Sequence, residues 1–216
     1  LAALNDGTVV CVADHRFSGH DIGMVKDGRI DISIRVSKDN GHSWGETATV
    51  LEGKGKDSPD FLNVAFGDPS IVADRESGRI LLMTCAGNVS FLDGTPDCHQ
   101  GIVRMYSSDG GMTWTEKEDI SGDIYRLFDG STFGQAKSMF VTSGRITQSR
   151  YVRNGKYYRL YFAVPQIAGN GEWKNYVIYS DDFGQNWNIL GDADVAPIPD
   201  GANEAKVEEL PDGSVL

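Results

Sequence analysis

An eight-residue pattern, S-x-D-x-G-x-x-W, occurs three times and most strongly constrains how this chain can fold. The copies are SKDNGHSW (37–44), SSDGGMTW (107–114) and SDDFGQNW (180–187), and they contain three of the four tryptophans. They recur about 70 residues apart, and a fixed period of this kind indicates a chain built from similar structural units.

The residue types of the pattern predict a closed turn. The Asp carboxylate can accept hydrogen bonds from backbone N–H groups of its own loop, and Gly can adopt the positive φ that a tight turn needs. The Trp ring buries a large apolar surface. We therefore expect Asp39, Asp109 and Asp182 to be structural, because one carboxylate per turn is too few ligands for a calcium ion.

Short alternating segments rich in Val, Ile and Tyr lie between these patterns. GTVVCVA, RIDISIRVS, RILLMTCA, YYRLYFAV and NYVIYS all predict strands. Turn signals such as KDG, ESG, RNG and PDG separate them. Each unit is expected to hold about four strands, with the repeated turn between the third and the fourth, which predicts an all-β protein of the β-propeller type.

Composition excludes several classes of protein. The formal net charge of −11 argues against binding of nucleic acid or an anionic membrane surface. No apolar run approaches the roughly 18 residues of a membrane-spanning helix. The cysteines Cys11, Cys85 and Cys98 form no C-x-x-C motif, so neither a metal site nor a cofactor is predicted. Cys11 and Cys85 lie in apolar segments and are expected in the core.

Three further segments, beside the repeated turns, resemble a known family. VADHRFSGHD (12–21), GDPSIVADRESGRI (67–80) and NEAKVEELPDGSVL (203–216) are similar to segments of the bacterial sialidases (neuraminidases) of glycoside hydrolase family 33. In that family the repeated turn is called the Asp box, or BNR repeat. The resemblance implies a six-bladed propeller, of which residues 1–216 would form a partial catalytic domain of about three and a half blades.

The resemblance also implies roles for three residues near the first two segments. Asp21, five residues after Arg16, would be the general acid/base, with Asp27 and Asp31 as nearby alternatives. Arg16 and Asp68 would bind the substrate near its C4 hydroxyl. Without the resemblance, Arg16 is equally an ordinary surface ion-pair residue, and Asp68 starts a turn before a proline.

The third segment supplies the second catalytic candidate. Sialidases use a tyrosine as nucleophile, and a neutral phenol suits a substrate whose reacting carbon carries a carboxylate. Glu204 would be the base that activates this tyrosine, with Glu208 and Glu209 as alternatives. We favour Glu204 because it begins the predicted strand EAKVEEL, where it would face the mouth of the propeller.

The chain also departs from the family pattern. An Arg-Ile-Pro motif expected before Leu1 is not in this sequence. In the family, two further arginines and the nucleophilic tyrosine follow the Glu204 segment. On this interpretation the isolated 216 residues lack sialidase activity.

These inferences predict a retaining exo-α-sialidase that needs no metal or cofactor and releases terminal sialic acids from glycoconjugates. By resemblance the protein would be secreted, periplasmic or on the cell surface. Alternatives are a non-catalytic Asp-box propeller that binds glycans or protein, a trans-sialidase, and a hydrolase of another nonulosonic acid. The linkage preference stays open.

Overall fold

The computed structural model describes residues 1–25, 28–197 and 203–216, which form three sheets in chain order, each built around four antiparallel strands. Sheet 1 contains β1 (Ala2–Ala3), β2 (Val9–Arg16), β3 (Ile30–Ser37) and β4 (Ala48–Leu51). Sheet 2 contains β5 (Phe66–Ala73), β6 (Ile80–Ala86), β7 (Gly101–Ser107) and β8 (Glu118–Asp119). Sheet 3 contains β11 (Thr147–Asn154), β12 (Tyr157–Ile167), β13 (Trp173–Ser180) and β14 (Asn188–Ile189).

Two short strands connect sheets 2 and 3. β9 (Ser138–Met139) pairs with the end of β12, and β10 (Gly144–Arg145) adds to sheet 2 in parallel with β5. All other strand pairs are antiparallel. The helical segments are α1 (Ser121–Tyr125) and single 3₁₀ turns at Gly55–Asp57, Phe61–Asn63, Phe91–Asp93 and Arg126–Phe128. No helix in the described part of the chain is long and apolar enough to span a membrane.

Each Asp box joins the third and fourth strand of its sheet, as predicted. In all three, the Ser hydroxyl donates to the Asp carboxylate and accepts from the backbone N–H of the Gly, at 2.7–2.9 Å. The carboxylate also accepts from the backbone N–H and the side chain of the residue before the Trp. The turn is therefore closed by bonds within eight residues.

The middle sheet is buried on both faces. Ile80 and Leu82 of β6 pack toward sheet 1, whereas Leu81 and Met83 pack toward sheet 3. Because β6 is covered on both sides, its sequence is continuously apolar rather than alternating. The all-β, partial-propeller architecture predicted from the repeats is confirmed.

Two local predictions are wrong. The segment EAKVEEL is not a strand but is irregular, apart from one bridge between Glu209 and Val215. It packs against sheet 3 through the Val207 side chain instead of pairing with a neighbouring strand. Cys11 is only partly buried, whereas Cys85 is fully buried.

Candidate functional site

The end of β2 places two charged side chains side by side. Asp14 and Arg16 are two residues apart in a strand, so they point to the same face. The Asp14 carboxylate accepts from Nε and Nη2 of Arg16, each at 2.8 Å. The Arg16 guanidinium is thereby fixed while its Nη1 atom stays directed toward the next loop.

That loop carries Asp21, whose carboxylate forms an ion pair with Arg16 Nη1 and remains 52% exposed. Gly23 fixes the position of the loop: it has φ +72°, and a Cβ there would collide with the backbone of Ser90. Of the alternatives, Asp31 is 3% exposed and accepts from the N–H of Gly53 at 2.9 Å, so its carboxylate is committed to the loop after sheet 1. Asp27 lies outside the described residues.

Asp68 approaches the same guanidinium from sheet 2. Its Oδ1 lies 3.7 Å from Arg16 Nη2, and its backbone has φ +53°, which is uncommon for a residue other than glycine. Burial raises the pKa of Asp68 to about 7, and the negative charges of Asp14 and Asp21 add to the effect. Burial works against the charge of Arg16, but its hydrogen bond to Asp14 and the surrounding carboxylates raise its pKa.

Glu204 joins this group from the far end of the chain. It is exposed, has φ +51°, and lines the same pocket as Arg16, Asp21 and Asp68. Glu208 instead forms an ion pair with Arg145 at 3.4 Å. Glu209 is buried, and its carboxylate accepts hydrogen bonds from the Ser149 hydroxyl and the Arg150 backbone N–H. Of the three glutamates, only Glu204 lines the pocket.

The four predicted residues therefore share a pocket of about 260 Å³ with two unlike walls. One wall is charged, and Arg16 is its only cationic residue among the described ones. The other contains Phe91, whose ring lies edge-to-face with Phe140 at 4.8 Å and with Trp173 at 5.2 Å. A pocket of this kind fits a ligand that has hydroxyl groups on one side and an apolar substituent on the other.

A larger cavity of about 920 Å³ lies between the outer strands of sheets 1 and 2. Its lining mixes apolar residues, such as Val50 and Trp114, with charged ones, such as Glu52 and Lys117, and shares no residue with the Arg16 pocket. Within the described ranges, no three His, Cys, Asp or Glu side chains are placed to hold a metal ion. We assign the candidate site to the smaller pocket because the four residues predicted from the sequence converge there.

Sequence reasoning missed Asp14 and the apolar wall. The signal for Asp14 was present, because D-x-R within a strand places both side chains on one face. Trp173 also gave a signal, as the one tryptophan outside the Asp boxes. Phe91 and Phe140 gave none, because they lie about 50 residues apart and meet only through the packing of sheets 2 and 3.

Comparison with known proteins establishes the family. The model of the BNR repeat-like domain matches residues 4–214, so the chain belongs to the BNR repeat-like domain family. Among individual proteins it is 30% identical, over 207 residues, to a sialidase of Micromonospora viridifaciens, covering 93% of this chain. This confirms the resemblance to bacterial sialidases.

Solved structures share the fold. The intramolecular trans-sialidase of Ruminococcus gnavus, in complex with oseltamivir carboxylate, matches with a TM-score of 0.73 at 18% identity over 99% of this chain. A leech intramolecular trans-sialidase complexed with 2,7-anhydro-Neu5Ac matches with a TM-score of 0.74 at 17% identity, also over 99% of this chain. The chain spans 29% of the Micromonospora protein and 63% and 46% of these two structures.

Proposed function

We propose that the protein is a retaining exo-α-sialidase and that this chain supplies its acid/base and hydroxyl-binding residues. The observation that carries the proposal is the convergence of Arg16, Asp21, Asp68 and Glu204 on one pocket. These residues come from three separate segments of the sequence, and nothing in the local fold requires the three segments to meet. Sialidase relatives across nearly the whole chain support the same conclusion.

The pocket suits the part of a sialic acid that lies away from its carboxylate. Arg16 and Asp68 together offer donors and acceptors for the C4 hydroxyl. The neighbouring C5 acylamino group would then contact the aromatic wall around Phe91. Because carboxylates outnumber the single guanidinium here, the substrate's own carboxylate is not expected to bind on this side.

Asp21 is placed to act as the general acid/base. Its carboxyl lies at the pocket mouth, is 52% exposed, and is oriented by the ion pair with Arg16. A proton given to the leaving oxygen can therefore be replaced from solvent. Positioned proton transfer of this kind typically accelerates a reaction about 10²–10⁴-fold.

Glu204 is proposed as the base for a tyrosine nucleophile, as the resemblance implies. Glu204 lines the pocket, and Lys206 donates to its backbone carbonyl at 3.0 Å. A base beside a phenol promotes attack on the sugar and accounts for retention of configuration through a covalent intermediate.

The test is an assay of the full-length protein with sialyllactoses, and with lactose as the matched control. We expect release of free sialic acid from the sialyllactoses and no action on lactose. Formation of 2,7-anhydro-sialic acid would instead assign intramolecular transfer, and sialylation of an added acceptor would assign a trans-sialidase. Saturable binding of sialyllactose without any product would identify a binding module and contradict the proposal.

A further inference from the structure

One polar side chain of the pocket is not explained by the proposed chemistry. Gln100 precedes β7, is 4% exposed and lines the pocket. Its Oε1 atom is buried and accepts no hydrogen bond from the described residues. An unpaired buried acceptor of this kind costs about 1–3 kcal/mol, and native proteins retain few of them.

The backbone around Gln100 is firmly held. The Tyr125 hydroxyl donates to the Gln100 carbonyl at 3.2 Å and accepts from the backbone N–H of Met139 at 2.8 Å. At the next residue, Gly101, a Cβ would collide with Leu62. The backbone that carries the Gln100 side chain is therefore fixed beside the pocket.

The location of Gln100 suggests what the oxygen contacts. If the C4 hydroxyl of a sialic acid lies at Arg16 and Asp68, the C5 acylamino group projects toward the apolar wall. Gln100 lines the same pocket as Phe91 and Phe140, but it is more deeply buried than most of the pocket's polar groups. The end of an acyl chain that enters this wall would lie beside it.

We infer that Gln100 determines specificity for the acyl group at C5 and favours one that carries a terminal hydroxyl. This inference rests on the proposed function. A glycolyl hydroxyl would donate to the Gln100 amide oxygen, whereas the methyl end of an acetyl group would leave that oxygen unpaired. Sites that hydrogen-bond a substrate hydroxyl discriminate against analogues that lack it.

The experiment compares N-glycolyl- and N-acetylneuraminic acid glycosides that have the same leaving group. In the full-length protein we expect kcat/KM to favour the glycolyl substrate about 5–10-fold, the equivalent of one hydrogen bond. Gln100→Leu keeps the size of the side chain and removes the acceptor, so it should bring the ratio to about 1. Gln100→Met serves as a second variant if the leucine protein is unstable.

Gln148→Leu is the matched control. The Gln148 amide is partnered, with Arg75 and Asp74, and lies outside the pocket, so its loss should leave the substrate ratio unchanged. Because each ratio is taken within one variant, differences in folded fraction cancel. If the ratio of kcat/KM for the two substrates is the same in the wild type and in both Gln100 variants, the role assigned to Gln100 is overturned, but the proposed function is not. Failure of the wild type to cleave either substrate overturns the proposed function, and this inference with it.

Discussion

The two ends of the β2–β3 hairpin place aspartates in opposite environments. Arg16 pairs with Ile30 at one end, and Val9 pairs with Ser37 at the other, roughly 20–25 Å away. The first Asp box closes the Ser37 end, whereas the candidate site opens at the Arg16 end. The same two strands thus carry a structural turn and a charged pocket.

The carboxylates at these two ends differ in pKa. Asp39 accepts from the Ser43 hydroxyl, the Ser43 N–H and the Ser37 hydroxyl, and these bonds lower its pKa to about 2. At the pocket, burial and neighbouring carboxylates raise the pKa of Asp68 to about 7. Hydroxyl and N–H donors of its own turn satisfy Asp39, whereas Asp68 lies among like charges, with Arg16 3.7 Å away. The difference indicates which aspartates stabilise the fold and which are available to a ligand.

The largest expected effect is a loss of activity from a substitution at the pocket end of the hairpin. Asp21→Asn in the full-length protein should lower the hydrolysis of natural sialosides about 10²–10⁴-fold, because the leaving oxygen loses its proton donor. A substrate with a strongly acidic phenol as leaving group should be affected much less, since its departure needs no proton. Equal losses on both substrates, measured as kcat/KM, would show that Asp21 is not the acid.

Asp14→Asn tests how the pocket end is held together. With no carboxylate to orient Arg16, we expect kcat/KM to fall about 10-fold, mainly through KM. The pKa of Asp68 should also decrease, because Asp14 is one of the charges that raise it. Asp14→Glu, which keeps the charge, should retain more activity. A loss of thermal stability with unchanged KM and an unchanged pH profile would limit Asp14 to a structural role.

Asp109→Ala tests the Asp-box end. It removes the acceptor for the Thr113 backbone and hydroxyl and for Ser107, so Tm should fall by about 2–4 °C for each kcal/mol of stability lost. The rate per folded molecule should stay the same, because no Asp-box residue lines the Arg16 pocket. Asp109→Asn, which keeps an acceptor oxygen, should lose less. A large drop in turnover at unchanged Tm would contradict the structural assignment.

The smallest expected effect is on stability at high pH, and here the substitution should stabilise the protein instead of impairing it. The folded-state pKa of Asp68 is raised from 3.8 to about 7, so its contribution to stability is present below pH 4 and is lost as pH rises through 7. Asp68→Asn removes this loss, and asparagine also tolerates a positive φ. We expect no difference from wild type at pH 4 and a variant that is more stable than wild type at pH 8. Denaturant unfolding at both pH values measures it, and a destabilised variant at pH 8 would mean that Asp68 is ionised and well paired.

The turns and strands could be predicted from the sequence because their determinants are local. Every hydrogen bond that closes an Asp box joins residues no more than four apart, so a pattern eight residues long is sufficient to identify it. Alternation and turn signals likewise gave the hairpins and the position of each box between the third and fourth strands. Arg16 and Asp21 share one short segment, which is why their spacing was informative.

Tertiary structure decided what the local pattern could not. Glu204 lines the pocket although its segment is not the strand that was expected, because packing of that segment against sheet 3 sets its position. The catalytic roles and the cellular location stay predictions. The sequence by itself determined the repeated turns, whose bonds lie within one loop. Only the packing of three sheets decided that residues from positions 16 to 204 share one pocket, since contacts between sheets depend on how buried faces fit together rather than on any spacing along the chain.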